Sequence, residues 1–290
     1  MKNKPLLYEV SYIRPLVIFL LVVYHGLCVY TGGWTPPEGV GANSAYWWLG
    51  HFISGFRIET IAFVGGYVYA FQCIALEKRL SFPRFAWKKF NRLLIPCWIF
   101  GIVYLLLYRY KPGMSLNVCV WKVLNGIGHL WFLPMLFWCF LLGWLADKLT
   151  EKTIDKRCFP WLMWGLLLVA GAATLVRMPS LRLGLTRAPH FFFYFFLGYC
   201  VWILCAKAPG SRERRRWSRE EDILYRRIST GLAILYVVLF LLRVRLTTPW
   251  LMGLSAIRVR TAFLPLLNPL VKGVAMAQTC CGILALYLFV

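Results

Sequence analysis

The chain has 290 residues, 60% of them hydrophobic and only 15% charged, with a formal net charge of +22 at pH 7. That is more apolar surface than a soluble domain of this length buries, and its apolar runs are of membrane-spanning length. The composition therefore excludes a soluble globular protein and predicts an all-α, polytopic membrane helix bundle. In a soluble chain the positive charge would point to nucleic acid. Here it reads as lysine and arginine collected in cytoplasmic loops, and no nucleic-acid partner is expected.

The first apolar run, 13–30, has no small-residue cleavage site after it and carries Arg14 and His25, so it is expected to remain as a helix rather than to be cut as a signal peptide. Eleven residues at about 100° each come to three turns and roughly 20°, which puts Arg14 and His25 on one face about 16 Å apart. Both are expensive in lipid, so they are expected to mark an inward-facing stripe. The loop 31–50 follows, with the Gly- and Pro-broken stretch GGWTPPEGVGANSAYWW and no lysine or arginine. Its Trp34, Tyr46, Trp47 and Trp48 suit an interfacial aromatic belt, and they would also suit stacking on sugar rings.

A second span is read at 51–75. It carries Arg57 and Glu59, which at two residues apart do not face each other on a helix, so each needs a partner elsewhere. The segment FPRFAWKKFNRLLIP then places Lys88, Lys89 and Arg92 in an inner loop just before a third span at 93–109. Three cations so spaced suit a polyanion, and they equally suit the positive-inside rule. A fourth span, 129–146, opens with His129 and Trp131; further spans are read at 160–177, 190–206, 228–246 and 272–290. The polar segment 208–227, SRERRRWSREED at its centre, reads as a solvated connector or a contact with anionic headgroups. Residues 248–271 contain Arg258, Arg260, Pro265 and Pro269, which predicts a short, broken or re-entrant segment. The total is eight to nine spans.

Orientation follows from the loops. With the N-terminus inside, twenty lysines and arginines fall in inner segments and ten in outer ones, which assigns the N-terminus to the cytoplasm. All four histidines, His25, His51, His129 and His190, then lie toward the outer side. The ten cysteines are scattered through apolar runs without a paired metal-site spacing, so packing is their expected role and no metal is expected. A bridge between Cys28 and Cys119 has no support over two free thiols.

Four stretches in order carry a family resemblance: Arg14 and His25 with ten residues between them, FVGGYVY at 63–69, RLLIP at 92–96 and HLWFLPMLF at 129–137. They resemble the acyltransferase-3 family of polytopic enzymes that O-acylate envelope glycans. Its second-helix pattern FFxSGY has a serine where this chain has Gly65, and the family more often has a proline near Glu59. The resemblance implies a single membrane-embedded acyltransferase domain over 1–290 in the bacterial inner membrane. The implied enzyme is an O-acetyltransferase type, expected to transfer an acyl group, acetyl in the leading reading, from acyl-CoA to a hydroxyl of a cell-envelope glycan. It also implies His25 as general base, because an imidazole takes a proton near neutral pH; Glu59, at comparable depth on the second span, is the candidate to orient it, although there the chain departs from the family. Arg14, Lys88, Lys89 and Arg92 would bind the donor's phosphates, while Arg57, His129 and Trp131 would wall the acceptor side. No permanently bound cofactor is expected. Arg14 could instead snorkel to the inner headgroups. Since the family usually has about ten spans, a chain stopping at GILALYLFV is expected to be shortened at its C-terminal end. The alternative from another class is a transporter or exporter of a glycan or small solute without acyl chemistry, since buried charges and broken helices also mark substrate paths.

Overall fold

The computed structural model describes residues 7–151, 159–175, 183–205, 219–247 and 257–290, and all regular structure among them is helical. Helix α1 is Tyr8–Leu27, α2 Ser44–Ser54, α3 Arg57–Ala70, α4 Phe82–Tyr104 and α5 Leu116–Leu124. They are followed by α6 at Phe132–Glu151, α7 at Phe159–Leu175, α8 at Ala188–Cys205, α9 at Arg219–Thr247 and α10 at Ile257–Phe289. Six helical segments are long and apolar enough to cross a membrane, and two shorter apolar helices, Pro160–Leu175 and Ala188–Leu204, accompany them. The expected all-α membrane bundle is thus observed.

Several boundaries differ from the sequence reading. The second span begins at Ser44, because Asn43 caps α2 by accepting the Tyr46 N–H at 3.1 Å, and a polar side chain at that position satisfies a donor the helix cannot. Helix α4 begins at Phe82, not near residue 93, so Lys88, Lys89 and Arg92 stand on a helix rather than in a loop. Pro83 permits that early start, since the first turn has no use for its missing N–H. Helix α9 begins at Arg219, where Glu220, Glu221 and Asp222 occupy the positive end of its dipole and Arg226 reaches Asp222 at 3.1 Å. The polar connector therefore becomes helical from residue 219; residues 206–218 lie outside the described ones. Residues 257–289 form one continuous helix that includes Pro265 and Pro269, against the short, broken or re-entrant reading of that part of the segment; residues 248–256 lie outside the described ones. Proline is tolerated in spanning helices because neighbouring groups satisfy the freed carbonyls. The short α5, within a stretch expected to be an outer loop, was not anticipated.

The chain forms two compact units, with the division in α3 between Val64 and Gly65. The first holds α1, α2, the start of α3, α9 and α10. In it α9 and α10 run antiparallel: the Ser229 hydroxyl donates to the Ala285 carbonyl at 2.8 Å, and farther along the pair Gly282 lies against the Tyr236 ring. Between α2 and α3 the helix breaks at Gly55 and Phe56, freeing carbonyls that would be costly in an apolar interior. Tyr236 of α9 donates to the Phe52 carbonyl at 2.5 Å and Thr279 of α10 donates to the Gly55 carbonyl at 2.7 Å. The break is thus held by two hydroxyls from distant sequence.

The second unit holds the remainder of α3 and helices α4 to α8. Gly66 lets the α3 backbone meet the Phe195 carbonyl of α8 directly, in space a side chain would fill. Indoles tie loops to helices: Trp144 donates to the Leu80 carbonyl at 3.1 Å and Trp138 to the Leu183 carbonyl at 2.9 Å. Large apolar side chains such as Phe19, Phe100, Leu107 and Trp161 are exposed, as lipid-facing positions of a membrane protein must be.

Candidate functional site

His25 lies in the last turn of α1, half-buried, and its setting comes from the chain just after it. The Gly33 and Trp34 N–H groups both donate to the Cys28 carbonyl, at 2.9 and 3.1 Å, curling the backbone back over the helix end. Gly32 has φ +76 in this curl, a value that only glycine adopts without strain. The curl stacks the Trp34 indole on the imidazole, with centroids 5.8 Å apart and planes 20° from parallel. One face of the imidazole is thereby covered by an aromatic side chain whose residue is 50% exposed.

Tyr24, the residue before His25, stands edge-on to the imidazole at 6.2 Å and carries the Arg57 guanidinium over its own face at 3.3 Å. Arg57 is the first residue of α3, placed there by the break after α2, and it is buried. Its Nη1 donates to the Ser54 carbonyl at 3.5 Å, whereas its Nε has no hydrogen-bond partner among the described residues. Cys28 completes this corner. Burial pushes its thiol up from the ordinary 9.0, an effect that a hydrogen bond with Tyr24 and the nearby Arg57 charge only partly offset.

Glu59 is half-buried one turn into α3, and its carboxylate lies within electrostatic reach of both Arg57 and Arg243. Arg243 sits near the end of α9 and donates to the His51 carbonyl at 3.4 Å. His51 itself stacks on Trp47 at 4.1 Å and pairs its Nδ1 with the Trp47 carbonyl at 2.9 Å, which is a structural setting. The stripe expected along α1 is only half observed. Ile13 and Val17 are buried, while Arg14, about 100° around the helix from Ile13, is exposed. His25, about 20° from Arg14 in helical phase, is off the buried face too, and its partial burial comes from Trp34, which stacks on it from the chain after α1.

In the second unit the three α4 cations divide. Lys88 and Arg92, one turn apart, are exposed, whereas the Lys89 ammonium turns inward over the Phe140 ring at 3.3 Å. Near that end of the unit, Asp147 of α6 is buried, accepts a hydrogen bond from the Tyr199 hydroxyl at 2.9 Å and pairs with Arg79 at 3.8 Å. His129 is exposed in the short turn before α6, edge-on to Tyr104 at 5.7 Å. Trp131 lies under the Arg187 guanidinium at 4.1 Å and against Phe191 at 5.7 Å. Burial pushes Arg187 down from its ordinary value. Asn125 joins α5 to the segment before α8, accepting the Leu183 N–H at 2.5 Å. Cys28 and Cys119 are both free thiols.

Sequence reasoning missed Arg243, Tyr236 and Gln278 in the first unit and Asp147 with Tyr199 in the second. Asp147 had a readable signal, an acid at the end of an apolar span. Arg243 had been counted only as an outer cation.

In chemical terms, the first unit offers an imidazole with an ordered ring plane, flanked by a tyrosine that carries a buried guanidinium. Such a group can take a proton from a hydroxyl while the nearby cation steadies developing negative charge. No curated protein and no solved structure matches the chain. A family model described as an acyltransferase domain matches residues 7–289, nearly the whole chain. The four motif stretches, the helical membrane architecture and this match agree, and the chain belongs to the acyltransferase-3 family and is a membrane acyltransferase.

Proposed function

We infer that the protein is an O-acyltransferase that takes an acyl group, acetyl in the simplest case, from acyl-CoA and places it on a hydroxyl of a cell-envelope glycan. The observation that carries this reading is the His25 corner: a half-buried imidazole stacked by Trp34 and joined through Tyr24 to Arg57. In the reaction, His25 removes the proton from the acceptor hydroxyl, whose oxygen forms a bond to the acyl carbonyl carbon. The carbon–sulfur bond of the thioester breaks, and the departing thiolate of coenzyme A takes up a proton. Arg57 stabilises the oxyanion that forms between these events. In this reading Lys88, Lys89 and Arg92 serve the phosphates of a cytosolic donor, and Arg14 is a further donor-binding cation on α1. Glu59, His129 and Trp131 contribute to orientation and to the acceptor wall. The protein would then work in a bacterial inner membrane with its N-terminus in the cytoplasm.

The test is acyl-CoA turnover by purified protein in proteoliposomes supplied with a glycan acceptor. Wild-type turnover that depends on acceptor and on His25 supports the reading. Flux of an unmodified glycan without thioester cleavage would replace it with the transporter reading.

A further inference from the structure

Around the break between α2 and α3, the first unit concentrates positive charge that it does not neutralise. Arg57 is buried and Arg243 largely so, and both lie within reach of the single carboxylate Glu59. No acidic residue follows Asp222 in the chain, so α9 beyond its first turn and all of α10 offer none. Beside these cations, Gln278 of α10 is 0% exposed, and neither its Nε2 nor its Oε1 has a hydrogen-bond partner among the described residues. Its amide stands beside the Tyr236 hydroxyl, which donates its own proton to the Phe52 carbonyl. Gly55 leaves the space over which both groups stand, since a methyl there would fall 2.5 Å from the Tyr236 oxygen and 2.6 Å from the Gln278 Nε2. The Arg57 Nε is likewise buried without a partner. A buried polar atom without a partner is costly, and the two donors among these, the Arg57 Nε and the Gln278 Nε2, call for a ligand that accepts hydrogen bonds, while the charges of Arg57 and Arg243 call for one that is negative.

We propose that Arg57, Arg243 and Gln278 form an anion-recognition subsite beside His25, so that the acyl-transfer substrate carries a carboxylate or phosphate. This rests on the acyltransferase reading above. Tyr24 supplies the connection, because it touches His25 with its edge and Arg57 with its face. An anionic group held by the guanidiniums fixes the register of the substrate, and with it the reacting oxygen relative to the imidazole. The anion has two sources: an acidic sugar of the acceptor, or the far carboxylate of a dicarboxylic acyl chain on the donor.

The experiment uses the full-length protein in proteoliposomes with Arg243→Gln and Arg243→Lys variants. In the acceptor arm, acetyl-CoA is the donor and methyl glucuronide is compared with methyl glucoside. In the donor arm, succinyl-CoA is compared with acetyl-CoA on methyl glucoside. Wild type should prefer the charged member of one pair by about 10- to 100-fold in kcat/KM. Arg243→Gln should erase that preference through KM while leaving the neutral member unchanged, and Arg243→Lys should retain much of it. The arm that shows the preference identifies the source. Direct binding of methyl glucuronide, methyl glucoside and succinate to the same proteins is measured in parallel. If no thioester turns over but charge-dependent binding is seen and is lost in Arg243→Gln, the acyltransferase reading fails and the subsite stands. Wild type without charge preference in either arm or in binding overturns the subsite, as does an Arg243→Gln variant that weakens neutral and charged ligands alike.

Discussion

Replacing Gly66 by alanine puts a methyl group where the α8 backbone already is. The added carbon would fall 2.6 Å from the Phe195 carbonyl carbon and 3.2 Å from its Cα, and closer still to its oxygen. Ordinary carbon contacts need about 3.5 Å or more, and the obstacle here is backbone rather than the tip of a flexible side chain. Phe195 is itself 0% exposed, so α8 has no free space to retreat into. Overpacking of this kind costs about 1–3 kcal/mol, and a backbone clash belongs at or above the upper end. The neighbouring glycine is the control. A methyl on Gly65 would lie 3.5 Å from the Phe195 ring, an ordinary contact, so Gly65→Ala, and Gly65→Ser as in the family pattern, should be nearly neutral. The assay is membrane abundance together with thermal unfolding in detergent, followed by loss of the monodisperse peak. Gly66→Ala should lose most of its folded protein or unfold several degrees lower, while Gly65→Ala stays at wild-type behaviour. Equal stability of the two variants would refute the close approach of α3 and α8.

Four further outcomes are expected. His25→Ala and His25→Gln should each reduce acyl transfer by about 10²- to 10⁴-fold at near-normal abundance, since Gln keeps hydrogen bonding but cannot accept a proton; a fully active Gln variant would make His25 structural. Wild-type transfer should fall on the acid side of its pH profile, because protonation removes the base; a flat acid side would count against it. In a variant keeping only Cys28, maleimide labelling should be slow at pH 7 and rise above pH 9. Because burial raises this thiol, stability contributed at lower pH should be lost as pH rises past its ordinary 9.0, and rapid labelling at pH 7 would contradict the buried setting. Asp147→Leu should lower stability by about 1–3 kcal/mol by leaving the buried Tyr199 hydroxyl without its acceptor, and Asp147→Asn by less, measured as thermal unfolding; the reverse order would refute the hydrogen bond as the main term.

What the sequence determined by itself is what depends on local chemistry and on spacing. Apolar runs of spanning length force helices, because lipid offers no partner to backbone N–H and C=O groups. Four stretches taken together, the Arg14–His25 interval, FVGGYVY, RLLIP and HLWFLPMLF, indicated the family, to which the chain belongs. The one-face geometry of Arg14 and His25 was also readable, yet only His25 is half-buried, because the segment after α1 curls back and lays Trp34 over it while Arg14 stays exposed. Likewise Lys88, Lys89 and Arg92 looked like one cationic cluster. Their separation by helical phase, with Lys89 turned onto Phe140, required knowing that α4 begins at Phe82 and where α6 packs. The pairings that shape the candidate site are the least local of all. Trp34 reaches His25 through a curl that Gly32 permits, and Tyr236 and Thr279 satisfy carbonyls at the α2–α3 break from more than 180 residues away. No pattern in the chain encodes such contacts, since they arise only when the packing of α9 and α10 decides which hydroxyl meets which freed carbonyl. The sequence thus supplied the membrane helices and the family and singled out His25, and the tertiary structure alone supplied the neighbours of that imidazole, Trp34, Tyr24 and the buried Arg57.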